Sequence, residues 1–291
     1  MRAECSADCE RDTLMQNACP KRSGRKLIQH GTISLLLFIL GSVCSNAEES
    51  GRNYIGLSIS GCDFHISDNH ASPLIFSGTG IGPVVQYFSK GDESRQVAEG
   101  SYYFNSLSTA NQNFHTDNWR GKIRYSYLYS IAGRDSTESA VQLFLGGSLG
   151  SFFSQSDYYA NLANQFSVRS IVSWYWSHSL DAAALLEFES ATDEYISLLL
   201  SVPLISNISR PQYSSSGDYN YDENDWDIKT FGETELFPNN LSANVLLMYR
   251  TLLSPDFSFH ISYEFFYSYY KKPKTVGMYI NNIRVGLFFC F

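Results

Sequence analysis

The chain has 291 residues, with 29 acidic against 21 basic and a formal net charge of −8. That balance leaves no basic footprint for nucleic acid. Aromatic residues make up 15% of the chain, with 20 Tyr and 20 Phe, and no apolar run is long enough for a comfortable helical membrane span.

The first segment reads as an address. Lys21, Arg22, Arg25 and Lys26 form a basic patch, Ile33 to Val43 is apolar, and Ser45-Asn46-Ala47 puts small residues at a cleavage position before Glu48. This is the pattern of a secretory signal peptide over 1–47. Residues 1–20 have no part in such a signal, and Met15 offers an alternative start. Val43 is too bulky to make Cys44 a lipid-attachment site. Cutting after Ala47 removes six of the 21 Lys and Arg and four of the 29 Asp and Glu, leaving 15 against 25. Four of the six cysteines leave too. Cys62 and Cys290 remain, on the first and last strands, with registers unsuited to a bridge, so no disulfide framework is expected.

From Asn53 onward the sequence alternates with the period of a strand. Candidate strands fall at about 53–66, 80–90, 95–108, 117–132, 139–154, 164–178, 181–190, 194–205, 241–253, 257–271 and 276–291. Ser206–Asn240 holds room for a twelfth near 225–236, where Trp226, Ile228 and Thr230 alternate with Asp227 and Lys229. In 117–132, Trp119, Ile123, Tyr125, Tyr127, Tyr129 and Ile131 share one face. Arg120, Lys122, Arg124, Ser126 and Ser130 share the other, with Leu128 the exception. A soluble antiparallel sheet alternates as well. These segments, however, have membrane-strand length, and their apolar faces end in Tyr and Trp. With twelve strands, the short turns at Lys90–Ser94, Gly133–Ser139, Ser177–Asp181 and Ser254–Asp256 fall at the periplasmic end, and so does Ser206–Asp222.

The last strand is the clearest. Phe291, Phe289, Leu287, Val285 and Ile283 form an apolar row, while Cys290, Phe288, Gly286, Arg284 and Asn282 form the other. With its signal segment, alternating strands and Val285-Gly286-Leu287-Phe288-Phe289-Cys290-Phe291 ending, the chain resembles bacterial outer-membrane β-barrel proteins. The resemblance implies an all-β, antiparallel, up-and-down transmembrane barrel over 48–291, of twelve strands with ten as the next choice. It also implies an outer-membrane location in a Gram-negative bacterium, contact with outer-membrane lipid, and an assembly signal at Val285, Leu287, Phe289 and Phe291 for the barrel-assembly machinery.

Charges on a lipid-facing wall cost several kcal/mol, so ionisable groups on these strands must point inward. They are Glu99, Arg120, Lys122, Arg124, Arg169, Glu187, Glu189, Arg250, His260, Glu264 and Arg284. Such a lining suits a channel or carrier for a polar or weakly charged solute. A salt-bridged, non-conducting interior is equally consistent with it. His260 and Ser262 share one side of a strand and resemble the His-x-Ser of outer-membrane phospholipases, but the match stops after two residues and no orienting third group is visible. A hydrolase acting on lipid or peptide is therefore an alternative, as is a structural or partner-docking barrel. Asp218-x-Asn220-x-Asp222 opens like a calcium loop, yet Glu223 and Lys229 stand where Gly and Glu are required. Asp218, Asp222, Asp225 and Asp227 remain a loose acidic candidate for a cation. Nothing in the sequence calls for a cofactor.

Overall fold

The computed structural model describes residues 52–110, 114–132, 141–162, 166–189, 194–211 and 230–291, apart from the side chains of 160–171. Every regular element among them is a strand: β1 (Arg52–Asp68), β2 (Ser72–Lys90), β3 (Ser94–Ser108), β4 (Phe114–Ala132), β5 (Val141–Leu162), β6 (Phe166–Glu189), β7 (Glu194–Ser209), β8 (Glu233–Leu236), β9 (Asn240–Ser254), β10 (Phe257–Tyr270) and β11 (Val276–Cys290).

All neighbours are antiparallel, and the sheet closes on itself. β1 and β11 pair along their whole lengths, from Tyr54 opposite Cys290 to Asp68 opposite Val276. Beyond the last strand, the Phe291 amide donates to the Asn53 carbonyl at 2.9 Å. Closure leaves the ten barrel strands without an open edge to seed aggregation and satisfies their backbone without water. Cys62 faces Asn282 across this seam while Cys290 faces Tyr54, so the two thiols are far apart and both are free.

Ten strands close the barrel, and β8 stands outside the closure. β7 pairs with β9 over Glu194–Ser201 and with β8 over Ile205–Ile208, so β8 and β9 occupy successive stretches of the same flank. Of the two expected counts, ten is the one the barrel has, and twelve fails at two places. The strands expected at 164–178 and 181–190 merge into one continuous strand, β6 (Phe166–Glu189), paired with both neighbours through Ser177–Asp181. The anticipated turn there is only a register shift between Leu180 and Asp181. The anticipated strand near 225–236 shortens to β8 within the described residues.

The change of count reverses one placement. Arg52 and Cys290 lie at one end, with the β2–β3, β4–β5, β6–β7 and β9–β10 connections. The β7–β8 connection lies at the far end, with β1–β2, β3–β4, β5–β6 and β10–β11. The described part of the expected Ser206–Asp222 loop, up to residue 211, therefore lies at the end opposite Arg52 and Cys290, not at the one expected from twelve strands; residues 212–222 lie outside the described residues.

Outward positions are apolar: Leu57, Ile59, Ile81, Phe104, Leu149 and Ile283 each expose about 60% or more of their surface. Inward positions are buried without being uniformly polar. Leu128, the exception in the sequence pattern, is fully enclosed with Phe144, Ala183, Leu185, Leu199 and Leu246. The far half of the lumen holds a larger apolar cluster that includes Phe64, Phe76, Phe152, Tyr158, Tyr175 and Met278.

Candidate functional site

The middle of the lumen is a charge cluster drawn from four strands. Arg284 of β11 grips Glu99 of β3 with two hydrogen bonds, Nη1 to Oε2 at 2.7 Å and Nη2 to Oε1 at 3.1 Å. It also bonds Glu264 of β10. Lys122 of β4 bonds Glu264, lies 3.3 Å from Glu99, and donates to Asn244 Oδ1 at 3.0 Å. Arg124 approaches Glu99 at 3.8 Å. Period-two alternation puts each of these residues inward, and the register then sets their heights: Glu99 pairs with Arg124, and Glu264 with Asn282. The two-pronged guanidinium–carboxylate contact is the strong form of ion pair.

Around this cluster the remaining cations lie on aromatic faces. Arg120 sits over Tyr103 at 4.4 Å and Phe64 at 4.8 Å. Arg250 sits over Tyr54 at 4.2 Å, Tyr195 at 4.5 Å and Phe88 at 5.2 Å. Desolvated contacts of this kind are worth about 2 kcal/mol each. Arg95, over Phe144, is paired with Glu187 at 2.9 Å.

Of the ionisable residues singled out in the sequence, Glu99, Arg120, Lys122, Arg124, Glu264 and Arg284 share the central region. Glu187, Arg250 and His260 are buried nearer the terminal end. Glu189 differs: it sits at the rim, half exposed, bonded to Lys90 at 2.6 Å. The Arg169 side chain, and Asp218, Asp222, Asp225 and Asp227, lie outside the described residues.

These side chains fill the lumen rather than line an opening. A cavity bordered by Asp181, Ser201, Asn240 and Asn244 offers about 30 Å³ to the centre of a water-sized body, and another, beside Arg120 and Lys122, about 10 Å³. Each suits one or two waters. His260 is fully enclosed, with Nε2 3.0 Å from Ser58 Oγ and its ring against Phe288 at 4.5 Å. Its Nδ1 has no partner, and the Ser262 hydroxyl makes no hydrogen bond. A serine–histidine contact is present, but through Ser58 instead of Ser262, and among the described residues no carboxylate orients the ring. Among the described residues, no group of three or more His, Cys, Asp or Glu could hold a metal ion.

Two features escaped the sequence pattern. One is an outer-wall ladder of rings from β3 to β6. It runs Phe104–Tyr102 at 4.8 Å, Tyr102–Trp119 at 6.4 Å, Trp119–Phe153 at 4.8 Å and Phe153–Trp176 at 5.1 Å. It continues through His178 to Phe231, the latter pair 5.0 Å apart. The other is a collar at the far end. Arg210 bonds Asp68 at 2.6 Å and the Lys272 and Lys274 carbonyls, while Asp68 accepts from Ser173 at 2.7 Å. Lys272 reaches across to Glu235 of β8 at 2.6 Å. There the lysine ammonium holds the Glu235 carboxyl below its ordinary value, and Glu235 in turn raises Lys272.

No known protein family matches the chain, and no curated protein does. Among solved structures it is similar to the translocator domain of the autotransporter NalP from Neisseria meningitidis, at 10% identity and a TM-score of 0.46 over 92% of this chain and 98% of that one. It is also similar to the outer membrane protease OmpT from Escherichia coli, at 7% identity and a TM-score of 0.47 over 84% and 98%. A third likeness is to neisserial surface protein A, at 14% identity and a TM-score of 0.35 over 84% and 100%. At these scores the likenesses assign no activity to this chain.

Proposed function

We propose that the chain is an outer-membrane barrel whose lumen is a structural core and whose work is done at the end opposite its termini, as a structural or partner-docking barrel. The observation that carries this reading is the filled interior. Glu99, Glu264, Arg284, Lys122 and Arg124 interlock across the middle, and packed apolar side chains occupy the far half. The outward apolar rows and the ring ladder support a lipid setting, since hydrocarbon accepts such a wall and interfacial aromatics border it. The Arg210–Asp68 and Lys272–Glu235 contacts support a collar held in one shape, as a docking surface requires.

A channel for a polar or weakly charged solute is the second reading, favoured by the concentration of cations around Lys122. It requires the Arg284–Glu99 contact to part. Recording from purified protein in planar bilayers separates the two. A flat baseline is expected from the native chain, with steps appearing after Glu99→Ala combined with Arg284→Ala. Discrete openings in the native chain would overturn the closed-lumen reading.

A further inference from the structure

The small cavity beside the charge cluster is lined by donors with nothing to donate to. Arg120 Nη1, the Ser101 hydroxyl and the Tyr103 hydroxyl all border it or belong to residues that do, and none makes a hydrogen bond. Arg120 and Tyr103 are each 98% buried. Native interiors rarely leave such groups unsatisfied, and an unfilled cluster of them marks the place of a water or an ion. Glu264 also borders the cavity, but its oxygens already accept from Lys122, Arg284 and Asn282. Its charge is therefore spent on the cluster.

Charge decides between a water and an ion. Arg120, Lys122, Arg124 and Arg284 face Glu99 and Glu264. Asp181 is the next acid, bordering the larger cavity with Asn244 and Ser201, which bond Lys122 and Arg124. Among the described residues this gives four cations to three carboxylates in a largely buried region. An uncompensated buried charge is expensive, and a water does not neutralise it. We propose that the cavity beside Arg120 holds a single halide ion, chloride in the cell, bound by Arg120 Nη1 with the Ser101 and Tyr103 hydroxyls and neutralising the cluster. The room for about one water-sized body excludes phosphate and sulfate.

The test uses the full barrel refolded in, and crystallised from, sodium bromide. An anomalous bromine peak is expected between Arg120, Ser101 and Tyr103. In Tyr103→Phe, which removes one donor and keeps the ring, the bromide concentration for half occupancy should rise about tenfold, the usual effect of one hydrogen bond to a charged group. Refolding yield should also saturate with chloride or bromide but not with gluconate at equal ionic strength. A site that shows only ordinary water density at saturating bromide overturns the proposal. So does a peak whose half occupancy Tyr103→Phe leaves unmoved.

Discussion

Arg284 and Glu99 meet in a two-pronged contact across the lumen, although 185 positions separate them in the chain. Both side chains have no exposure at all. A pair of this kind is strongly destabilising to break from one side, because the survivor is left charged and buried. Glu99→Gln is expected to lower unfolding free energy by about 3–5 kcal/mol, read from urea midpoints of vesicle-folded protein. Glu99→Leu with Arg284→Met should cost less than the two single changes added together. Strict additivity would show that the residues do not act as a unit.

The collar gives a pH dependence with a definite sign. Glu235 is held below its ordinary value by Lys272, so its stabilising contribution is complete above the unfolded carboxyl value of about 4.3 and fades as pH falls through the lower folded value. Lys272 is raised, so its contribution is complete below about 10.4 and fades as pH rises through the higher folded value. Hydrogen exchange at β8 should therefore quicken below pH 4 and again above pH 10. Glu235→Gln should exchange faster throughout the neutral range and lose the acidic limb; an unaltered acidic limb would assign it to another group.

Gly286 is required by a close approach. A Cβ there would lie 2.5 Å from the Leu57 carbonyl oxygen and 2.8 Å from the His260 ring. Gly286→Val should therefore lower the folded fraction, with the β1–β11 seam opening first. The fraction of heat-modifiable barrel on a cold gel measures this, and a native fraction in Gly286→Val would mean the strands part at little cost.

The outward row of β11 ends on Phe291, 56% exposed, with its ring stacked on Phe289 at 6.3 Å. If the exposed aromatic ending is what an assembly partner reads, Phe291→Ser should reduce assembled barrel in cells and leave chain in the periplasm. Fractionation and protease protection read the outcome; full assembly of the variant would remove Val285, Leu287, Phe289 and Phe291 from that role.

Outward rows were legible because an apolar outer wall requires strict alternation along each strand, as in Ile55, Leu57 and Ile59 or Val285, Leu287 and Phe289. The β6 error has the same origin. Ser177, Ser179 and Asp181 face a polar cavity inside the barrel, and a run of small polar residues around His178 has the composition of a turn. The central cluster was legible as a set of inward charges but not as pairs. Which carboxylate meets Arg284 depends on the registers of β3, β10 and β11 together, and alternation carries no register between strands far apart in sequence. Leu128 and Phe288 show the other limit: lumen positions that fill space look like lapses in the pattern until their neighbours Phe144 and Tyr54 are known.

Arg284 belongs to β11, while Glu99 comes from β3 and Glu264 from β10. Glu264 can meet Arg284 within the β10–β11 hairpin, but until β11 docks against β1, Glu99 lacks that guanidinium. A sheet left unzipped, or zipped with β11 displaced by one residue, keeps that debt and turns Arg284 toward lipid. Sealing the seam and seating Arg284 on Glu99 are thus one event, and a misregistered cylinder forgoes that contact.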